Sequence, residues 1–170
     1  SVPIEMILGV SRRTDIPAFH SEWFMNRLRA GYVMVRNPCY RHVVYRVELD
    51  PKNVDCLFFI TKDPEPILKY LDEIDRMGYD YIFQVTITPY GKDIEPRVRN
   101  KEDIIDSFIR LSERIGKEGT IWRYDPILFN DCVDIEYHRK GFSEICDRLK
   151  GHTVRCIFSF LDVRPKLGGY

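Results

Sequence analysis

The 170-residue chain has no excess of either charge, since Lys and Arg together number 26 and so do Asp and Glu. No overall field draws it to nucleic acid or to an anionic membrane, so any basic footprint has to be local. It has no apolar run approaching the roughly 20 residues that cross a bilayer. Its start, SVPIEMILGVSRR, lacks the basic opening and small-residue cleavage site of a secretory signal. A cytoplasmic protein with no membrane segment is expected. Cysteine is sparse and unpatterned: Cys39, Cys56, Cys132, Cys146 and Cys156 are odd in number and form no CxxC or CxxxCxxC group. That argues against a disulfide framework and against a thiolate metal centre, and for reduced thiols, several of them small core residues. His20, His42, His138 and His152 show no HxH, HxxxH or HExxH spacing, so no metal site is expected. His42 and His138 are expected to face solvent.

What the chain does have is an alternation of short apolar runs with longer stretches at helical spacing. The runs 6–11, 32–36, 56–61, 81–88, 120–124 and 153–160 read as strands, the first continuous and apolar like a strand covered on both faces and 81–88 alternating and rich in β-branched residues. Residues 18–30 read as a helix begun after Pro17 and stopped by Gly31, with Trp23 and Phe24 packed in the core. A second helix has Pro64 at its first position, carries Ile67, Leu68, Leu71 and Ile74 on one face, and closes at Gly78. Asn100 caps a third, whose stripe is Ile104, Phe108, Leu111 and Ile115. Asp134 opens a fourth, bearing Phe142, Ile145, Cys146 and Leu149. Between 36 and 56 no helical pattern exists. There Val43, Tyr45, Val47 and Leu49 alternate with Val44, Arg46 and Glu48, which predicts an extra, antiparallel strand.

Strand–helix–strand alternation implies right-handed crossovers and a parallel sheet. The expected fold is α/β: a partial TIM-like (βα) barrel of about six parallel strands with one extra antiparallel strand after the second. It spans 1–170 as one domain. A complete eight-unit barrel needs about 250 residues, and the chain stops at LDVRPKLGGY with no helix to cover the last strand, so a C-terminal truncation is expected. The first strand is followed by SRRTDIP rather than GxGxxG, which disfavours a Rossmann nucleotide site.

In parallel βα folds the loops after the strands gather on one face, so residues distant in sequence converge there. Read in order, the strand ends supply Arg12, Arg13, Thr14 and Asp15, then Arg36 and Asn37, then Thr61 and Lys62. Thr86, Thr88 and Tyr90 follow, then Arg123, Tyr124 and Asp125, and finally Ser159 and Asp162. Arginine forks bind carboxylates and phosphates bidentately, so this rim reads as an enzyme site for a small anionic or phosphorylated substrate. Arg12, Arg13, Thr14, Arg36, Asn37 and Arg123 are its candidate ligand-binding residues, with Gln84, Thr88 and Tyr124 orienting the ligand. Asp15, Lys62 and Asp125 are the candidate proton-transfer groups. For any one residue a plainer reading stands beside this, with Arg12–Asp15 and Arg123–Asp125 as local ion pairs holding loops. Gln84, Thr86 and Thr88 share one strand face by their i+2 steps, and either line the mouth or form a satisfied core network. A rival function is a non-catalytic nucleotide- or nucleic-acid-binding module, motivated by the Arg/aromatic interleaving of RAGYVMVRNPCYRHVVYR. Against it, Arg27, Arg29, Arg41, Arg46, Arg97 and Arg99 scatter among acids and are expected to be mostly solvated.

The blocks SRRTDIPAFHSEWFMNRLRAGYVMVRNP, FITKDP, QVTITPYGKDIEP, WRYDPI and SFLD, spread over residues 10–162, resemble the bacterial domain-of-unknown-function family 1848. The chain departs from that pattern in having Ile60 in place of Trp and Asp63 in place of Asn. The resemblance implies a longer protein that continues into a cysteine cluster similar to that of radical-SAM enzymes, which also use six βα units. It implies an iron–sulfur cluster and S-adenosylmethionine as cofactors of the full-length family. No cofactor is identifiable in residues 1–170, which contain no CxxxCxxC.

Overall fold

Helix ends fall where capping chemistry and glycine place them. The computed structural model describes residues 6–40 and 42–161. Asp15 caps α1 (Ile16–Phe19), Asn100 caps α5 (Lys101–Ile115) and Asp134 caps α6 (Ile135–Leu149), each accepting a hydrogen bond from a backbone N–H of the first turn. Gly31 ends α2 (Ser21–Ala30) and Gly78 ends α4 (Leu71–Met77), both left-handed at φ of 75° and 85°. Two helices expected to be continuous are broken. The first splits at His20 into α1 and α2, and the second splits between α3 (Glu65–Leu68) and α4, with Pro64 as the cap of α3 rather than its first residue. No helix among the described residues is long and apolar enough to cross a membrane.

The strands are β1 (Ile7–Val10), β2 (Tyr32–Arg36), β3 (Val44–Glu48), β4 (Cys56–Thr61), β5 (Tyr81–Thr86), β6 (Thr120–Ile127) and β7 (Cys156–Phe160). Five of them form a parallel sheet in the order β1-β4-β5-β6-β7, and β2 and β3 form a separate antiparallel pair. This corrects the expected architecture: residues 32–36 do not join the parallel sheet, which among the described residues has five strands rather than six and is open at β1 and β7. The physical reason is local. A short turn brings β3 back against β2 in register from Tyr32↔Glu48 to Arg36↔Val44, and closing that loop costs less than a long crossover. The extra antiparallel strand is therefore present, with β2 rather than the parallel sheet as its partner.

Pairing in register assigns every side chain to one of two sheet faces. Val10, Leu57, Phe59, Phe83, Val85, Trp122 and Tyr124 point to the face that carries the helices and form one buried cluster with Phe24, Leu28, Ile67, Leu71, Ile74, Phe108, Leu111 and Leu149. Phe59 stacks on Phe83 at 4.6 Å, and Trp122 stacks on Phe142 at 4.7 Å. The alternate residues Phe58, Ile60, Ile82, Gln84, Thr86, Ile121 and Arg123 point to the opposite face, and none of them joins that cluster. Among the described residues, helices thus cover one face of the sheet and leave the other open. Trp23, expected in the core, is 47% exposed, whereas its neighbour Phe24 is buried. Three of the five cysteines (Cys39, Cys132 and Cys146) are exposed, and only Cys56 and Cys156 are partly buried.

Gly141 of α6 lies directly against Pro89 in the segment after β5. A Cβ there would lie 2.5 Å from Pro89 Cβ and 2.6 Å from its Cγ. Helix propensity alone favours Gly141→Ala by about 1 kcal/mol, but the proline ring cannot fold away. Gly141→Ala is expected to destabilise the protein by roughly 1–3 kcal/mol in urea unfolding; a stabilised variant would show that α6 shifts freely.

Candidate functional site

Because all five strands of the sheet run one way, their C-terminal ends share one rim. The loop after β1 begins with Ser11, the single non-glycine residue with positive φ (95°) among the described residues. Such a backbone costs on the order of 1–3 kcal/mol and persists only where its surroundings hold it. Here Ser11 Oγ accepts the Ile16 N–H at 3.0 Å. Asp15 holds the loop on two sides: Oδ1 accepts the Ala18 N–H at 3.1 Å and Oδ2 accepts the Lys62 N–H at 2.7 Å. One carboxylate therefore ties the loop after β1 to the loop after β4.

These loops and the end of β6 enclose an open cleft of about 350 Å³. Arg12, Arg13, Thr14, Asp15, Lys62, Arg123 and Asp125 all line it, together with Ile60, Thr86 and Pro126. The rim residues chosen from the sequence at the ends of β1, β4 and β6 thus converge. Arg123 pairs with Asp125 at 2.8 Å, and the other Asp125 oxygen accepts the Ser159 hydroxyl. The pairing of Arg12 with Asp15 weighed from the sequence does not form. Among the described residues Arg12 and Arg13 meet no carboxylate, and Arg13 Nη2 donates to the Arg36 carbonyl at 2.7 Å. Gln84 lies next to the cleft, paired in register with the lining residue Ile60 on the same face.

The remaining candidates do not line the cleft, although Arg36 touches it through the carbonyl that accepts from Arg13. Arg36 is exposed on the β2–β3 hairpin, and Asn37 closes its turn, with Oδ1 accepting the Cys39 and Tyr40 N–H groups at 2.8 and 2.9 Å. Thr88 lies past the end of β5 and donates to Glu95 Oε2 at 2.9 Å. Tyr124 faces the helices, 1% exposed, and donates to Nδ1 of His138 at 2.8 Å. Burial pushes its phenol far above the usual range. His138, expected to face solvent, is 7% exposed and donates from Nε2 to the Leu128 carbonyl at 2.8 Å. Its position in the first turn of α6 looks outward on a helical wheel, but the segment after β6 folds over it. His42 is exposed as expected. Asp162 and Arg41 lie outside the described residues.

Glu95 is a neighbour of the cleft that sequence reasoning missed. It is 9% exposed and pairs with both Lys62 and Lys101, with Thr88 as a third partner. Burial pushes its carboxyl up, but hydrogen bonds from Lys101 and then Lys62 outweigh that and hold it below the usual glutamate range. Lys101 is itself pushed down, chiefly by burial, since it shares one carboxylate with Lys62. The carboxylate gains two cations whereas each lysine has half an anion. Nothing in KDIEP, a loop without periodicity, signals a buried acid. Next to it Asp63 receives Arg99 bidentately, Nε to Oδ2 at 2.9 Å and Nη2 to Oδ1 at 3.1 Å, so Arg99 is paired rather than solvated.

Among the described residues no three His, Cys, Asp or Glu side chains converge where a metal ion could be held. Cys39, Cys132 and Cys146 lie on separate exposed segments, so this donor set does not fit the iron–sulfur cluster that the resemblance implies. A family model described as a domain of unknown function (DUF1848) matches residues 7–168. No curated protein and no solved structure matches the chain.

The Glu95 pairing sets a sign for acid stability. A carboxyl held below its unfolded value contributes stability that is present above the ordinary glutamate range, about pH 4.3, and is lost as pH falls through the folded value. Glu95→Gln is expected to lower stability at neutral pH by roughly 1–3 kcal/mol, and the gap to wild type should close as pH drops below 4.3. Urea midpoints across that range measure it. A gap independent of pH would assign the loss to packing.

Proposed function

The chain belongs to the DUF1848 family, and we propose from its rim geometry that it is an enzyme binding a small carboxylated or phosphorylated substrate in the cleft between the ends of β1, β4 and β6. The observation that carries this is an imbalance of charge. Arg12, Arg13, Lys62 and Arg123 meet in one cleft, and two of these cations, Arg12 and Arg13, have no carboxylate among the described residues. Forked guanidinium groups beside a strained loop suit a bidentate anion. Arg123 is oriented by Asp125 and Lys62 by Glu95, so both present fixed charge to the cleft.

Of the candidate proton-transfer groups, Asp15 has both oxygens on backbone amides and serves to position the loops, and Lys62 is engaged by Glu95. Asp125 lines the cleft, holds Arg123 and receives only a hydroxyl on its other oxygen, which makes it the group best placed to exchange a proton with a substrate. The chain-order strand sequence with helices on one face is also the arrangement of a barrel wall, and we read the sheet as part of an incomplete (βα) barrel. The nucleic-acid reading has less support, because Arg29, Arg46 and Arg99 are matched by Glu73, Glu48 and Asp63.

Calorimetric titration with inorganic pyrophosphate and with small phosphorylated and dicarboxylated metabolites tests the proposal. Arg12→Ala and Arg123→Ala are each expected to weaken binding roughly tenfold or more, the value of a charge-assisted hydrogen bond, with the far-UV spectrum unchanged. Wild-type affinity in both variants would remove the cleft as the binding site.

A further inference from the structure

One pleat below the rim, the open face of the sheet carries two buried polar side chains that the pairs described above do not use. Gln84 is 7% exposed and Thr86 is 8% exposed. Neither side chain makes a hydrogen bond to any described residue, although a carboxamide offers two donors and a two-lone-pair acceptor. They are not sealed in, however. Arg27 Nε is the single fully enclosed side-chain nitrogen or oxygen without a partner among the described residues. The polar atoms of Gln84 and Thr86 must therefore keep an opening, and the helix-free face of the sheet is where they point. Gln84 pairs in register with Ile60 on one side and Ile121 on the other, and Thr86 pairs with Arg123. Ile60, Thr86 and Arg123 line the cleft, so the carboxamide lies about 7 Å down the strand from its mouth.

We infer that Gln84, with Thr86, is a specificity subsite that reads an amide-type edge, one N–H donor beside one C=O acceptor, on the body of the anion held by the arginines. The inference rests on the cleft being the ligand site. Leaving a buried amide without a partner is costly, and an apolar surround such as Phe58, Ile82 and Ile121 strengthens whatever hydrogen bond the amide makes. A satisfied core network would show its partners among the neighbouring strands, and none is there among the described residues. Two sources present such an edge on an anion: a nucleobase carried on a sugar phosphate, and a linear carboxamide carried on a carboxylate.

Two matched pairs of probes separate them. Uridine 5′-phosphate is compared with ribose 5-phosphate, which lacks the base, and succinamate with 4-oxopentanoate, which keeps anion and length but lacks the N–H donor. In the wild-type chain one edge-bearing probe is expected to bind roughly tenfold tighter than its partner, and the preferred pair identifies the source. Gln84→Met should abolish that preference while leaving the edge-less probe's affinity unchanged, and Thr86→Val should reduce it. Arg12→Ala should weaken all four probes alike. Arginine-dependent binding with no preference, or with a preference that survives Gln84→Met, overturns the subsite and leaves the cleft standing. Binding of all four that ignores Arg12→Ala overturns both.

Discussion

The molecule is organised by a directional constraint: a parallel strand can be followed by another only after the chain has crossed back, and each crossover lies on the same side of the sheet. Between β4 and β7 every crossover is made by helices whose apolar stripes need burial, and they find it against Leu57, Phe59, Phe83, Val85, Trp122 and Tyr124. Two consequences follow from that one requirement. All five strands of the parallel sheet end at one rim, where loops from distant parts of the chain meet, and the opposite face of the sheet is left without helices among the described residues. The cleft and the unpartnered Gln84 are both products of this arrangement.

Within the rim, charges fall into two groups. Some are committed to architecture: Asp15 joins two loops through their amides, Glu95 binds Lys62 and Lys101, and Asp63 receives Arg99. These contacts are partly or largely buried, where a carboxylate without partners is expensive. Arg12 and Arg13 belong to the other group, on a loop held at both ends and strained at Ser11. Rigid loops carrying unmatched guanidinium groups present charge to a ligand with little reorganisation.

Much of this is legible in the sequence. Periodicity located every strand to within a few residues, and Asn100, Asp134, Gly31 and Gly78 marked helix ends because capping is a property of adjacent residues. The list of strand ends named most of the cleft. It also named Arg36 and Asn37, which belong to a hairpin, and Tyr124, which faces the helices. Those placements off the cleft lining share a cause. Ending a strand is a one-dimensional property, whereas facing the cleft depends on which strand pairs with which and on the side to which each residue alternates.

The sequence by itself determined the element types, the one-way rim and the cationic character of the loop after β1, because these depend on residues within one or two turns of each other. Only the tertiary structure decided that β2 leaves the parallel sheet for β3, that Glu95 is a buried partner of two lysines, and that His138 lies beneath a loop. It also decided that Gln84 faces the open side of the sheet beside the cleft rather than a satisfied core. Burial, register and the pairing of Glu95 with Lys62 join residues far apart along the chain, and no local pattern encodes the distance across which they meet.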